Sequence, residues 1–374
     1  MSYRILLAGG GSGGHVYPLV AVGKTLKTIA SSRGLSLEIL VVGDGDFIGK
    51  AVMAAQLPFK RIIAGKLRRY ASLDNVIDFF KMPAGLIQSL WHIFWFMPNV
   101  VFAKGGYASL IPCLVARLYL IPVFIHESDF VPGLANRLIG RIARKAFISF
   151  EDSAQYFPKT ETLFTGNPVR KDLFGADREA ASRFFNLSPV KKTVLFLGGS
   201  LGAKAINDVV LNSLVVMTEN YQIIHQCGQG QYEEVKKESD KFIEEGGAAY
   251  GLRIKENYQL FPFLEEEALS MAYAAADITV SRAGGQIFEL ACLGKPVIVV
   301  PRENSSANHQ LYNASEFVKY GAMMIEERNL TRDVLMQRVG FLLEPDNYRI
   351  VGEKIKTFAR LDADEKIAEE LLSQ

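Results

Sequence analysis

The chain has 374 residues, 49% hydrophobic and 22% charged, a length that suits two domains and a composition that excludes a disordered chain, a collagen-like fibre and a coiled coil. Its formal charge of +2 hides an asymmetry: residues 1–165 carry 18 Lys+Arg against 10 Asp+Glu, and residues 166–374 carry 24 against 30. A basic first half joined to an acidic second suggests an anionic partner for one of them, the alternative being chance variation of the surface. The three scattered cysteines, Cys113, Cys227 and Cys292, have neither metal-ligand spacing nor a disulfide framework, which favours a reducing compartment.

Residues 1–4 lead into only four apolar residues before glycines begin, too few for a signal-peptide core, so no targeting segment is expected. Residues 4–8 (RILLA) read as a buried strand, Gly9 to Gly14 as a turn, residues 16–29 as a helix and residues 37–42 as a second strand. That is a βαβ unit with a parallel sheet. Next comes a basic run, Lys60, Arg61, Lys66, Arg68 and Arg69, followed by residues 76–97 with Phe79, Phe80, Leu86, Leu90, Trp91, Phe94, Trp95 and Phe96. Cations beside Trp and Phe suit a grip on an anionic bilayer, and core packing accounts for the same aromatics. The apolar stretches 86–103 and 107–126 are broken by Gln88, His92, Pro98, Asn99, Pro112, Arg117 and Pro122. A spanning helix needs about 20 mostly apolar residues, so none is expected. Further strands are predicted at 100–103, 122–125 and 146–149.

Thr165-Gly166-Asn167-Pro168 punctuates the chain where the charge balance changes sign, and predicts domains over 1–165 and 166–347. The βαβ pattern restarts there: a strand at 193–197, a glycine turn at 198–203 and a helix from 205, then strands at 222–225, 278–281 and 297–300. Residues 348–374 read as one or two charged amphipathic helices.

Three turns follow strands and open helices. Gly9, Gly11 and Gly14 satisfy G-x-G-x-x-G, which admits a dinucleotide site with Asp44 on a ribose. His15 fits that reading poorly. At the first turn of a helix the dipole disfavours imidazolium, so the ring suits a general base, or else a structural cap. GGSLGAK (198–204) lacks P-loop spacing but offers backbone N–H groups and the Ser200 hydroxyl to phosphates. SRAGG (281–285) precedes Glu289, which can take ribose hydroxyls or simply favour the helix dipole. His126-Glu127-Ser128-Asp129 and Lys104-Gly105-Gly106-Tyr107 end two strands, where open α/β sheets bind ligands. A near-neutral balance without a reader motif argues against nucleic acid.

GGSGGHVYP (10–18), GGY (105–107), HESDFVPGLAN (126–136), GNPVR (166–170), GGSLGA (198–203), SRAGGQIFE (281–289) and HQLYNA (309–314) occur in an order that resembles the MurG family of peptidoglycan N-acetylglucosaminyltransferases over nearly the whole chain. The resemblance implies an α/β, GT-B fold: two Rossmann-like domains with parallel sheets facing across a cleft, the C-terminal helix near 348–374 returning to the first. It implies inverting transfer of GlcNAc from UDP-GlcNAc to the MurNAc C4 hydroxyl of lipid I, giving lipid II, at the cytoplasmic face of the membrane and bound peripherally. Partners would be UDP-GlcNAc, lipid I, an anionic membrane surface and cell-wall synthesis proteins. No cofactor or obligatory metal is expected.

Carried over by position, Ser200 and Arg170 would hold the diphosphate, Glu289 the ribose, and backbone at Phe263 and Leu264 the uracil. Gly284, Gly285, Gln286 and Gln310 would face the sugar and its phosphate, and Ser12, Gly13 and Gly14 would line the acceptor side. His15 would be the base, with Glu127 and Tyr107 supporting. Asp129, where many members carry Asn, would contact the sugar and rival His15 as base.

Overall fold

The computed structural model describes residues 2–65, 73–199, 201–303 and 308–374, with the backbone alone over 73–81. The chain forms two compact units, one of residues up to Val169 joined by Arg360–Gln374, the other Arg170–Ala359.

The first unit is a seven-stranded sheet of β1 (Tyr3–Gly10), β2 (Leu37–Asp44), β3 (Phe59–Arg61), β4 (Val100–Ala103), β5 (Val123–Glu127), β6 (Lys145–Ile148) and β7 (Glu161–Phe164), ordered 3-2-1-4-5-6-7. The second is a six-stranded sheet of β8 (Lys192–Leu197), β9 (Tyr221–Gln226), β10 (Tyr258–Phe261), β11 (Ile278–Ser281), β12 (Val297–Val299) and β13 (Met323–Met324), ordered 10-9-8-11-12-13. The described pairs are parallel, and the central strands are apolar on both faces because helices cover both. Thus Ile5, Leu7, Val100 and Phe102 enter one core, and Leu6, Ala8, Val101 and Ala103 the other.

Helices of the first unit are α1 (Gly13–Ser32), α2 (Asp46–Ala54), α3 (Leu73–Phe96), α4 (Tyr107–Leu118) and α5 (Leu134–Gly140). Those of the second are α6 (Arg178–Phe184), α7 (Lys204–Asn220), α8 (Tyr232–Gly246), α9 (Gly251–Asn257), α10 (Glu266–Ala275), α11 (Gln286–Leu293), α12 (His309–Lys319), α13 (Arg332–Leu343) and α14 (Pro345–Lys356). The last, α15 (Ala363–Leu372), belongs to the first unit.

The structure moves the expected boundary from residue 165 to Val169 and divides the tail. Helix α14 stays with the second unit, because the segment that ends it carries Ile355 and Phe358 inward, Phe358 stacking on Phe288 at 5.2 Å. Helix α15 buries Ile367, Ala368 and Leu371 against α1, and Thr25 Oγ1 donates to Asp364 Oδ2 at 2.5 Å. Gly166 allows the exit and return to meet: its φ is +81°, and a Cβ there would stand 2.4 Å from the Cβ of Arg360.

In each sheet the order reverses beside the first strand, since β1 pairs with both β2 and β4, and β8 with both β9 and β11. Connections from the two neighbours leave in opposite directions, opening a crevice at the carboxyl edge there. β1 runs on through Gly9 and Gly10 and α1 begins at Gly13, so the first glycine turn narrows from the expected 9–14 to Gly11 and Ser12; it and the turns at 105–106, 198–202 and 284–285 follow the strands that flank these reversals.

Candidate active site

In the first unit, Ser12 is the N-cap of α1, in extended geometry and with no side-chain cap bond, and no acidic residue stands in the first turn. The positive helix end therefore meets no carboxylate of its own turn. His15 and Val16 donate their backbone N–H groups to Ser12 O at 3.0 and 3.2 Å, which fixes the imidazole on the third residue of the helix. Gly106, at φ +79°, closes on this turn: a Cβ there would stand 2.9 Å from Gly10 O and 3.8 Å from the His15 ring. Ser12, Gly13, Gly14, His15 and the first residue of α4, Tyr107, are thereby gathered at one edge of the sheet. Asp44, the ribose candidate of a dinucleotide site, sits 3.6 Å from Arg61 Nε and accepts from Ala64 N at 3.4 Å.

Strand β5 runs through His126 and Glu127, so the strand predicted at 122–125 extends two residues further and takes in the first half of the polar cluster at its end. His126 Nε2 lies 2.9 Å from Gly166 O. A carbonyl only accepts, so Nε2 carries the proton. Burial, and then the Lys104 charge, hold the ring's pKa well below its usual value, so it is neutral. Glu127 is buried and ties down the loop that follows: Oε1 accepts from Asp129 N at 2.9 Å, and Oε2 from Gly133 N at 3.2 Å and Asn136 Nδ2 at 3.0 Å. Burial pushes its carboxyl up to about 7, against the hydrogen bonds and Lys104. That geometry suits Glu127 to holding Asp129, which reaches the surface in part, rather than to meeting a substrate itself. Lys104 is fully buried, its Nζ has no hydrogen-bond partner among the described residues, and burial draws its pKa down to about 8.

In the second unit the turn after β8 is fixed by Gly198 N donating to Gln226 O at 3.0 Å and Gly202 N to Gly199 O at 3.2 Å. Only glycine fits at 202, where φ is +80° and a Cβ would fall 2.4 Å from Cys227 O. Helix α7 starts beyond it with no acid in its first turn. Ser200 lies outside the described residues.

Arg170 and Glu289, expected on different parts of one ligand, are paired: Arg170 Nε donates to Oε1 at 2.8 Å and Nη2 to Oε2 at 3.0 Å. Tyr273, fully buried on α10, donates its hydroxyl to Oε2 at 3.0 Å and accepts from Gln286 Nε2 at 3.1 Å. A carboxylate has about four lone-pair sites, so these three bonds leave it able to accept from a hydroxyl. Burial and Glu289 raise the Tyr273 hydroxyl well above its ordinary pKa, keeping it a donor. Gly285 caps α11 and Gln286 begins it, while Gly284 has open space where a Cβ would stand. Asn313 Nδ2 holds that turn through Ala283 O at 3.1 Å. Gln310 Oε1 accepts from Arg302 N at 2.9 Å, and Leu264 N donates to Gln226 Oε1 at 3.0 Å.

Tyr273, Asn313 and Gln226 were not anticipated. Tyr273 lies in an Ala-rich helical run that reads as plain core, and Asn313, inside the HQLYNA stretch, was given no role of its own.

Helices α3 and α4 pack together and leave an apolar surface in which Trp91, Trp95 and Leu118 are 62%, 65% and 68% exposed. Trp95 touches Trp91 and Phe94 with ring centroids 5.6 and 5.7 Å apart. Lys66, Arg68 and Arg69, and the side chains of Phe79 and Phe80, lie outside the described residues. Among the described residues no helix is long and apolar enough to cross a membrane, and no cluster of three His, Cys, Asp or Glu stands ready for a metal.

Residues 5–148 match the glycosyltransferase family 28 N-terminal domain and residues 193–367 the glycosyltransferase family 28 C-terminal domain. The UDP-N-acetylglucosamine–N-acetylmuramyl-(pentapeptide) pyrophosphoryl-undecaprenol N-acetylglucosamine transferase of Flavobacterium psychrophilum is 35% identical, over 99% of this chain and 97% of its own. The same-named protein of Treponema denticola is 35% identical over 86% of this chain and 83% of its own. Among solved structures, Acinetobacter baumannii MurG superposes with a TM-score of 0.72 at 25% identity, covering all of both chains. A UDP-GlcNAc 2-epimerase from Neisseria meningitidis shares the fold, at a TM-score of 0.71 and 16% identity over all of both chains.

Proposed function

The chain belongs to glycosyltransferase family 28, and from that premise we propose how its residues divide the work. It is an N-acetylglucosamine transferase of GT-B fold that carries GlcNAc from UDP-GlcNAc to N-acetylmuramyl-(pentapeptide) pyrophosphoryl-undecaprenol, forming lipid II. In our reading the acceptor's C4 hydroxyl attacks the anomeric carbon from the face opposite UDP, so the configuration inverts. His15 takes the hydroxyl proton, while Glu127, through its bonds to Asp129 N and Gly133 N, holds Asp129 toward the sugar. As the sugar–phosphate bond breaks, negative charge grows on UDP. The N–H groups at the start of α7, brought up by the Gly198–Gly202 turn, together with Ser200 and Arg170 meet it, with no metal ion assigned to the step. Glu289, oriented by Arg170 and Tyr273, takes the ribose hydroxyls, and Gly284, Gly285, Gln286 and Gln310 face the sugar.

The observation that carries this reading is the pair of glycine turns at the strand-order reversal of each sheet, one beside an imidazole and the other within the unit that holds the Arg170–Glu289 pair. The exposed tryptophans of α3 support peripheral attachment at the cytoplasmic face of the membrane, where the lipid acceptor lies.

Radiolabelled UDP-GlcNAc offered with lipid I, and separately with diacylglycerol, tests the assignment. Label is expected in lipid II; label only in the glycerolipid, or only in UDP-ManNAc, would overturn it. His15→Ala should lower kcat by about a hundredfold or more with UDP affinity retained, the loss expected for a general base. An unchanged rate would pass the role to Asp129.

A further inference from the structure

Behind the Gly198–Gly202 turn runs a line of polar side chains, buried at one end and partly exposed at the other, to which nothing above gives a task. The Tyr258 hydroxyl lies 2.9 Å from His225 Nδ1, and His225 Nε2 lies 3.0 Å from Asn207 Oδ1. Asn207 Nδ2 donates to Cys227 O at 3.0 Å and to Gln231 Oε1 at 2.7 Å, and Gln231 Nε2 reaches Leu201 O at 3.4 Å. His225 and Asn207 are buried, and Tyr258 nearly so.

Two backbone carbonyls fix the direction of every bond. Cys227 O and Leu201 O can only accept, so the Asn207 and Gln231 amides each turn their NH2 toward them. Asn207 Oδ1 then faces His225, whose Nε2 must carry the ring proton; Nδ1 is left to accept from Tyr258. Burial supports the single tautomer by drawing the ring's pKa down to about 3. A polar chain in an apolar core costs stability unless each member is satisfied, and here each has its partner. The turns themselves are in backbone contact: a Cβ on Gly228, at φ +93°, would fall 2.3 Å from Gly202 Cα.

We propose that His225, Asn207 and Gln231 are positioning residues for the donor: by holding the Leu201 carbonyl from behind, they keep the glycine turn after β8 in the shape that receives the nucleotide's phosphates. This rests on the reading of that turn as the diphosphate site. None of the three need touch the ligand. Hydrophobic side chains of similar volume would fill the same space, but would leave the turn without its clamp.

Calorimetric titration of UDP and of uridine into the full chain separates this role from a general structural one, because uridine carries the base and ribose but no phosphate. In Asn207→Ala and in Gln231→Ala the UDP affinity should fall about three- to tenfold, the range one hydrogen bond commands, with uridine affinity unaltered. The KM for UDP-GlcNAc should rise in step, with that for lipid I unchanged. Folded variants that bind UDP as the wild type does would overturn the proposal, and so would equal losses for UDP and uridine. Should Asn207→Ala fail to fold, Gln231→Ala decides, since Gln231 is partly exposed. Wild-type protein that does not bind UDP would remove the donor reading and the relay with it; UDP binding indifferent to both variants would remove the relay alone.

Discussion

His225 is held neutral by burial in the folded chain and titrates as an ordinary imidazole once the chain unfolds. Its folded pKa, about 3, lies below the unfolded value of about 6.5. Between those values the unfolded state binds the extra proton, so stability is lost as the pH falls through that window. From pH 7 to pH 5 the loss at this one group should be about 2 kcal/mol. Urea titrations across that range measure it in the second unit, and His225→Phe should flatten the slope whatever it does to stability at pH 7. A slope equally steep in the variant would show that another group carries it. Arg170 and Glu289 illustrate a different side of residue chemistry. Their two-point pair is half of what makes the candidate donor site legible, yet the partners stand 119 positions apart, and no local pattern joins them.

The strands that form the middle of each sheet were legible because burial on both faces writes itself as short apolar runs closed by glycine. The edges were not. Strand β3 is mostly exposed, β13 is two residues long, and β10 follows directly on the helix α9, so none displays a pattern of its own. Likewise the glycine turns announced themselves, whereas the use of Glu127 did not: a sequence displays its carboxylate but not the N–H groups of Asp129 and Gly133 that occupy it. Helix α3 was open to two readings, core or bilayer grip. In the described part Ser89 and Ile93, four residues apart, face inward while Trp91, Phe94 and Trp95 face out, so core packing does not account for those three rings. Aromatic rings bury large areas when they enter a lipid interface. Replacing Trp91 and Trp95 together by Ser should therefore weaken binding to anionic vesicles by roughly tenfold or more, with catalysis on a detergent-dispersed acceptor retained. Sedimentation with liposomes reads this directly, and undiminished binding would return the ridge to the status of an ordinary surface.

Two units make up the chain, each with its own core, and the C-terminal helix belongs to the first. Ile367, Ala368 and Leu371 of α15 are fully buried beside Val16, Leu19, Val22 and Leu26 of α1, and Lys145 Nζ bonds Glu370 at 2.6 Å. Removing residues 363–374 uncovers that stripe of α1 and forfeits roughly 1.5–3 kcal/mol for each large apolar side chain withdrawn. The second unit has a core of its own, built from strands β8 to β12 and from α7, α9 and α13. Scanning calorimetry should accordingly show the transition of the first unit lowered or lost in the truncated chain and that of the second unmoved. UDP should act the other way, raising only the second transition, by about 2.7 kcal/mol of stability at a hundredfold excess over its dissociation constant. If truncation and nucleotide shifted one common transition, the two units would not unfold separately, and the assignment of UDP to residues 170–359 would lose its thermodynamic support.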